Sequence, residues 1–169
     1  MSHQLDQLQM YYGFAQGQDE AFRFAIQCEG NSQSLRQQLE SQKQVIETDP
    51  YKLQFYWGYL SGLCETLAII SASPKGEATY TPQIFSLLQL PAKLVSGRFI
   101  KEGVRGAFSF SIACEAVPSV IEQELQTKRN IIQEGIQKNA QSPYRPGTSV
   151  RVVLDAYLDA LEGILAMIR

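Results

Sequence analysis

Several residue types that carry chemistry are scarce in this chain of 169 residues, and each scarcity excludes something. There is one histidine, His3, in a stretch expected to fray, so a Ser-His or Cys-His nucleophile pair has no rigid imidazole to draw on. The same absence removes His-ligated zinc, and Cys28, Cys64 and Cys114 show no C-x-x-C spacing. Three cysteines, an odd number, cannot close a disulfide framework. Charge of one sign is lacking too: 15 basic against 17 acidic residues give −2, with no global pull towards nucleic acid or anionic lipid. No glycine-rich phosphate loop of the Gly-x-x-x-x-Gly-Lys type is present. The opening MSHQLDQLQM has neither a basic nor an apolar leader region, which leads us to expect a cytoplasmic protein. The longest apolar stretch, 53–72, contains Gln54 and Glu65 and reads as a core helix rather than a membrane span.

What is present is helical period. Glutamine is over-used, with 19 copies, 11 of them before residue 48. As a good helix former it marks residues 1–48 as a Gln-rich helical segment. Asn31-Ser32 reads as the start of a helix running to Glu47. Asp49-Pro50 and Thr81-Pro82 each read as an N-cap followed by proline at the first helical position. Residues 71–80 and 141–148, rich in Pro, Gly and Ser, read as loops. Apolar residues recur at helical spacing after Pro50, after Pro118 and from Val150 to Ile168. Phe108, Phe110 and Ile112 alternate with serines, which is strand period, but the short run has no partner strand and helix is favoured. The expectation is an all-α fold: one domain, residues 1–169, forming a bundle of six or seven helices. A gapless match links Tyr59-Leu60-x-x-Leu63-x-x-x-Leu67-Ala68-x-Ile70 to Tyr157-Leu158-x-x-Leu161-x-x-x-Leu165-Ala166-x-Ile168. We read it as a shared packing pattern rather than a duplication.

Each cysteine is followed by glutamate. A neighbouring carboxylate raises a thiol pKa, so the three are expected to be buried, unreactive core residues. Asp155, Asp159 and Glu162 form an acidic stripe, but no second helix supplies the matching pair a magnesium cage would need, and no metal or cofactor is expected. Arg98, Lys101 and Arg105 make a basic ridge inside a segment, 75–105, of net charge +3. It is the natural place for nucleic acid, a reading not favoured because Glu102 interrupts the ridge and exposed stacking aromatics are missing. The two ridges are complementary and are candidates to meet, within the bundle or between subunits.

Gly58, Gly62 and Glu65 lie in one line opposite the main apolar face of the helix after Pro50. That helix is therefore expected to be central and covered on two sides, with a backbone close to the glycines and Arg98 or Arg105 paired to Glu65. These features favour a non-enzymatic helical module that binds a protein partner or a second copy of itself. The alternative is a small-molecule or cofactor pocket lined by Tyr56, Trp57, Tyr59, Phe85, Phe99, Phe108 and Phe110.

Overall fold

Two local devices set where the helices begin in the computed structural model, which describes residues 2–72, 90–138 and 142–169. Asn31 accepts a hydrogen bond from the Ser34 amide (2.9 Å) to open one helix. Asp49 Oδ1 accepts from the amides of Tyr51 (3.0 Å) and Lys52 (3.1 Å) to open another. Six helices follow among the described residues: α1 (Ser2–Gln27), α2 (Ser32–Lys43), α3 (Pro50–Ala72), α4 (Ala92–Ala113), α5 (Pro118–Lys138) and α6 (Ser149–Ile168). The fold is an all-α bundle with no strand among the described residues. Phe108 to Ile112 is helical, inside α4. The helix expected to reach Glu47 stops at Lys43, and residues 44–49 form an ordered connector. Its Glu47 Oε1 accepts from the Asp49 amide (3.1 Å). The Thr81-Pro82 device and Phe85 lie outside the described residues.

The reading of the internal match as packing alone needs correction, because the structure extends it over both halves. Phe24-x-Ile26-x-Cys28-Glu29 at the end of α1 corresponds to Phe110-x-Ile112-x-Cys114-Glu115 at the end of α4. The two ends close alike. Gly30 donates to the Ala25 carbonyl (2.8 Å) and Ala116 to that of Ser111 (2.8 Å), while Glu29 and Glu115 both turn left-handed at φ 57°. Each cysteine Sγ rests 3.4 Å from a carbonyl one turn back. The chain is thus α1–α2–α3 followed by α4–α5–α6 in the same arrangement. The signal was divided in sequence: α1 and α2 map onto α4 and α5 at an offset of 86 residues, but α3 maps onto α6 at 98. The longer α5 (21 residues against 12 in α2) accounts for most of the slip.

Helices pack closest where glycine permits it. A Cβ on Gly17 would lie 2.1 Å from the Phe55 carbonyl, and one on Gly58 2.1 Å from that of Phe14, so α1 and α3 touch backbone to backbone. Gly62 continues the seam against Ala21. At the equivalent place in the second half, a Cβ on Gly103 would meet the Val153 carbonyl at 2.3 Å. The halves then interlock. Leu8 of α1 is buried in the core of the second half, and Leu94 and Val95 of α4 in the core of the first.

The contact between α1 and α4 has an approximate two-fold symmetry. Phe108 stacks on Tyr11 (6.0 Å between centroids), and its equivalent, Phe22, covers Gly97, the equivalent of Tyr11. Near the axis the equivalent residues Asp19 and Arg105 pair directly (2.9 Å), with the Asp19 side chain wholly buried. α3 is not covered on two sides: Trp57 and Cys64 are exposed on its outer face. The expectation of buried cysteines fails with it, since Cys28 and Cys114 are only half-buried at helix ends.

Candidate functional site

The expected charge ridges do not meet within the chain. Arg98 binds Glu102 (2.8 Å), Lys101 binds Glu65 (3.2 Å), and Arg105 binds Asp19 and Glu20 (2.9 and 3.3 Å). On the other ridge, Asp155 pairs with Arg151 (2.9 Å), Glu162 with Arg129, and Asp159 is exposed. The reason is topological. The basic ridge faces α1 and α3, whereas the acidic stripe lies on the outer side of α6, where only its own turn and α5 can reach it. Glu65 takes a lysine rather than either arginine, because Arg98 and Arg105 are drawn to carboxylates nearer along α4 and on α1. Among the described residues, no group of three or more His, Cys, Asp and Glu side chains could hold a metal ion, and no helix is long and apolar enough to cross a membrane.

The aromatic residues grouped by sequence separate in space. Tyr56 and Tyr59 line a groove of about 590 Å³ between α1, the α2–α3 connector and α3. Phe99 lines a different cavity, of about 490 Å³, between α4, α5 and α6. Phe108 and Phe110 pack against the core of the second half, Trp57 is exposed, and Phe85 is outside the described residues. A helix of 3.6 residues per turn sends neighbours such as Tyr56 and Trp57 about 100° apart, so one pocket could not gather them all.

The two cavities are one site repeated. Gln16, Gln42, Val45, Phe55, Tyr56 and Tyr59 of the first correspond to Glu102, Lys128, Ile131, Val153, Leu154 and Tyr157 of the second. In both, the innermost tyrosine is held by the middle helix. Gln38 Nε2 donates to Tyr59 Oη (3.0 Å), and Tyr157 Oη donates to Glu124 Oε2 (2.7 Å) at the equivalent position. Burial, then the Glu124 carboxylate, raises the Tyr157 phenol above its ordinary range, and burial raises that of Tyr59. Both remain hydrogen-bonding phenols rather than phenolates near neutrality.

The linings have diverged. The first groove is aromatic with an amide rim: Tyr12, Tyr51, Phe55 and Tyr56 with Gln9, Gln16 and Gln42. Beside it the connector projects Val45 (44% exposed) and Ile46 (91% exposed). The second is more aliphatic and carries Lys128 where the first has Gln42. Sequence reasoning found Tyr56, Tyr59 and Phe99. It missed Tyr51, Phe55, Lys128 and Tyr157 as site residues, because their common setting is visible only once the halves are aligned at two offsets. Comparison of the chain with protein-family models, with curated proteins and with solved structures finds no match.

Proposed function

We propose that the protein is a non-enzymatic helical binding module whose first partner is a second copy of itself, engaged through the α1–α3 groove. The observation that carries this reading is the exposed apolar Ile46, projecting as a knuckle beside the aromatic groove whose wall includes Val45. A projection and a recess side by side on one patch are what an isologous two-fold contact needs, since each copy inserts its knuckle into the other's groove. Tyrosine suits the role, offering wide contact area with few torsions to freeze. The rim is pre-ordered as well. The Val45 amide donates to the Gln42 carbonyl (3.0 Å) and Asp49 caps α3, so little connector entropy remains to be lost on association. The basic ridge lends no support to nucleic-acid binding, because Arg98, Lys101 and Arg105 are each matched by carboxylates.

Sedimentation equilibrium over a wide concentration range tests the proposal. The chain should show a monomer–dimer equilibrium, and Ile46→Asp or Tyr51→Ala should shift it to monomer with the far-ultraviolet spectrum unchanged. A chain that stays monomeric at the highest concentrations, or variants that associate as well as the parent, would overturn it.

A further inference from the structure

The α4–α5–α6 cavity holds an electrostatic imbalance that its counterpart lacks. Of the basic side chains among the described residues, Arg23, Lys43, Arg98, Lys101, Arg105, Arg129, Arg151 and Arg169 each pair with a carboxylate. Arg36, Lys52, Lys93 and Arg145 have no such partner but are exposed, where water solvates the charge. Lys128 is neither paired nor exposed: it is half-buried, lining the cavity. The nearby carboxylates are committed elsewhere. Glu102 is held by Arg98 (2.8 Å) and approached by Arg23 (3.6 Å), Glu124 accepts from Tyr157, and Glu162 binds Arg129. Glu124, one turn back on α5, keeps its charge while accepting from a neutral phenol but makes no ion pair with Lys128. The partly desolvated ammonium therefore has no direct counter-ion, and an anionic group brought by a ligand would supply one. The rest of the lining is mostly apolar, chiefly Phe99, Ile131, Val153 and Leu154, with Tyr144, Ser149, Tyr157 and the Arg98-bound Glu102 as its polar members. At about 490 Å³ the cavity falls in the ordinary range for a small-molecule site.

We infer that this cavity binds an apolar monocarboxylate of fatty-acid type, its chain lying on Phe99, Val153 and Leu154 and its carboxylate pairing with the Lys128 ammonium. The equivalent Gln42 of the first groove offers only a neutral amide, and the Lys52 on that groove's rim is exposed and solvated, so the anion is selected in the second half. This inference is independent of self-association through the first groove.

Calorimetric titration of the full chain with dodecanoate, kept below its micellar concentration, tests it, with 1-dodecanol as the neutral comparison. One saturable site for dodecanoate is expected, and markedly weaker binding of the alcohol. Lys128→Met keeps the apolar stem, removes the charge, and should weaken dodecanoate about tenfold, the loss of one charge-assisted hydrogen bond. Gly106→Leu should block the cavity, since a Cβ there meets only the Tyr157 ring at ordinary contact (3.5 Å). Tyr56→Ala, in the other groove, should change nothing. No saturable binding, equal affinity of parent and Lys128→Met, equal affinity for alcohol and acid, or loss of binding in Tyr56→Ala would each overturn the assignment.

Discussion

Replacing Gly17 by alanine tests the backbone contact on which the first half is built. On an ordinary exposed helix this change raises helix stability by about 1 kcal/mol. Here the new Cβ would stand 2.1 Å from the Phe55 carbonyl oxygen and 2.6 Å from the Tyr59 nitrogen, both backbone atoms that no rotamer change can move aside. An ordinary contact begins near 3.4 Å, so α1 and α3 must part by about 1 Å. A gap of that size forfeits a quarter to a half of the dispersion energy of each contact along the seam. Overpacking on this scale costs roughly 1–3 kcal/mol, which exceeds the propensity gain. We expect Gly17→Ala to be destabilised by up to about 2 kcal/mol net in urea unfolding followed by circular dichroism. Gly103→Ala should behave alike, because its Cβ would meet the Val153 carbonyl at 2.3 Å. Gly163 is the internal control: nothing lies within 4 Å of a Cβ there, so Gly163→Ala should gain up to about 1 kcal/mol. If Gly17→Ala proves as stable as Gly163→Ala, the helices do not touch through their backbones and the account of the seam is wrong.

Four further outcomes follow from the same geometry. Arg105→Met leaves the wholly buried Asp19 with Arg23 alone, and should cost about 3 kcal/mol or more in urea unfolding; a loss under 1 kcal/mol would show that Asp19 is solvated. Reversing the charges of Arg105 and Asp159 together should give the sum of the single effects, because the two take part in separate contacts; a double variant markedly more stable than that sum would contradict the pairing described here. Glu115→Gly should raise the denaturation midpoint, since a φ of 57° costs a non-glycine residue about 1–2 kcal/mol against a smaller entropic loss, and an unchanged or lower midpoint would argue against a strained turn. The folded Tyr157 phenol is raised above its unfolded value, so its contribution is fully present below about pH 10 and is lost as pH rises beyond it; stability should fall on that alkaline side, and Tyr157→Phe should flatten the fall.

The residues legible in advance and those that were not differ in the range of the forces that place them. Asn31 and Asp49 were readable as caps because a cap is settled within three residues of chain. The helical spacing of the α6 segment was readable because burial on one face repeats every 3.6 residues whatever lies opposite. By contrast, α3 buries Gly58, Gly62, Leu63 and Thr66 and leaves Trp57 and Cys64 of its apolar face exposed. Caps and spacing are local, and together they determined the all-α class and the starts of α2, α3, α5 and α6. The expected ridge pairing failed for the opposite reason. Complementary charge says which groups could pair, but the direction each helix face points is decided by crossings between distant segments. Gly17 against Phe55 and Gly103 against Val153 fix those crossings. Together with the α1–α4 contact, where Tyr11 stacks on Phe108 and Phe22 covers Gly97, they leave Arg105 against Asp19, Lys101 against Glu65 and the acidic stripe of α6 outside. Cys64 shows the same limit, since its flanking residues are those of a core helix while its side chain faces outward.

The repeat lies between these cases. Its sequence matches were present at the ends of α1 and α4 and along α3 and α6, but the longer α5 shifts one set against the other. Only the packed structure restores the register, because space is filled by position in the bundle and not by distance along the chain. The amino-acid order alone determined that this protein is helical and where α2, α3, α5 and α6 start. Tertiary structure alone decided that Tyr59 and Tyr157 occupy equivalent grooves, that Lys128 lies half-buried without a carboxylate, and that Asp19 and Arg105 meet near the axis between the halves. Those facts depend on which faces meet across close helix crossings such as those at Gly17 and Gly103.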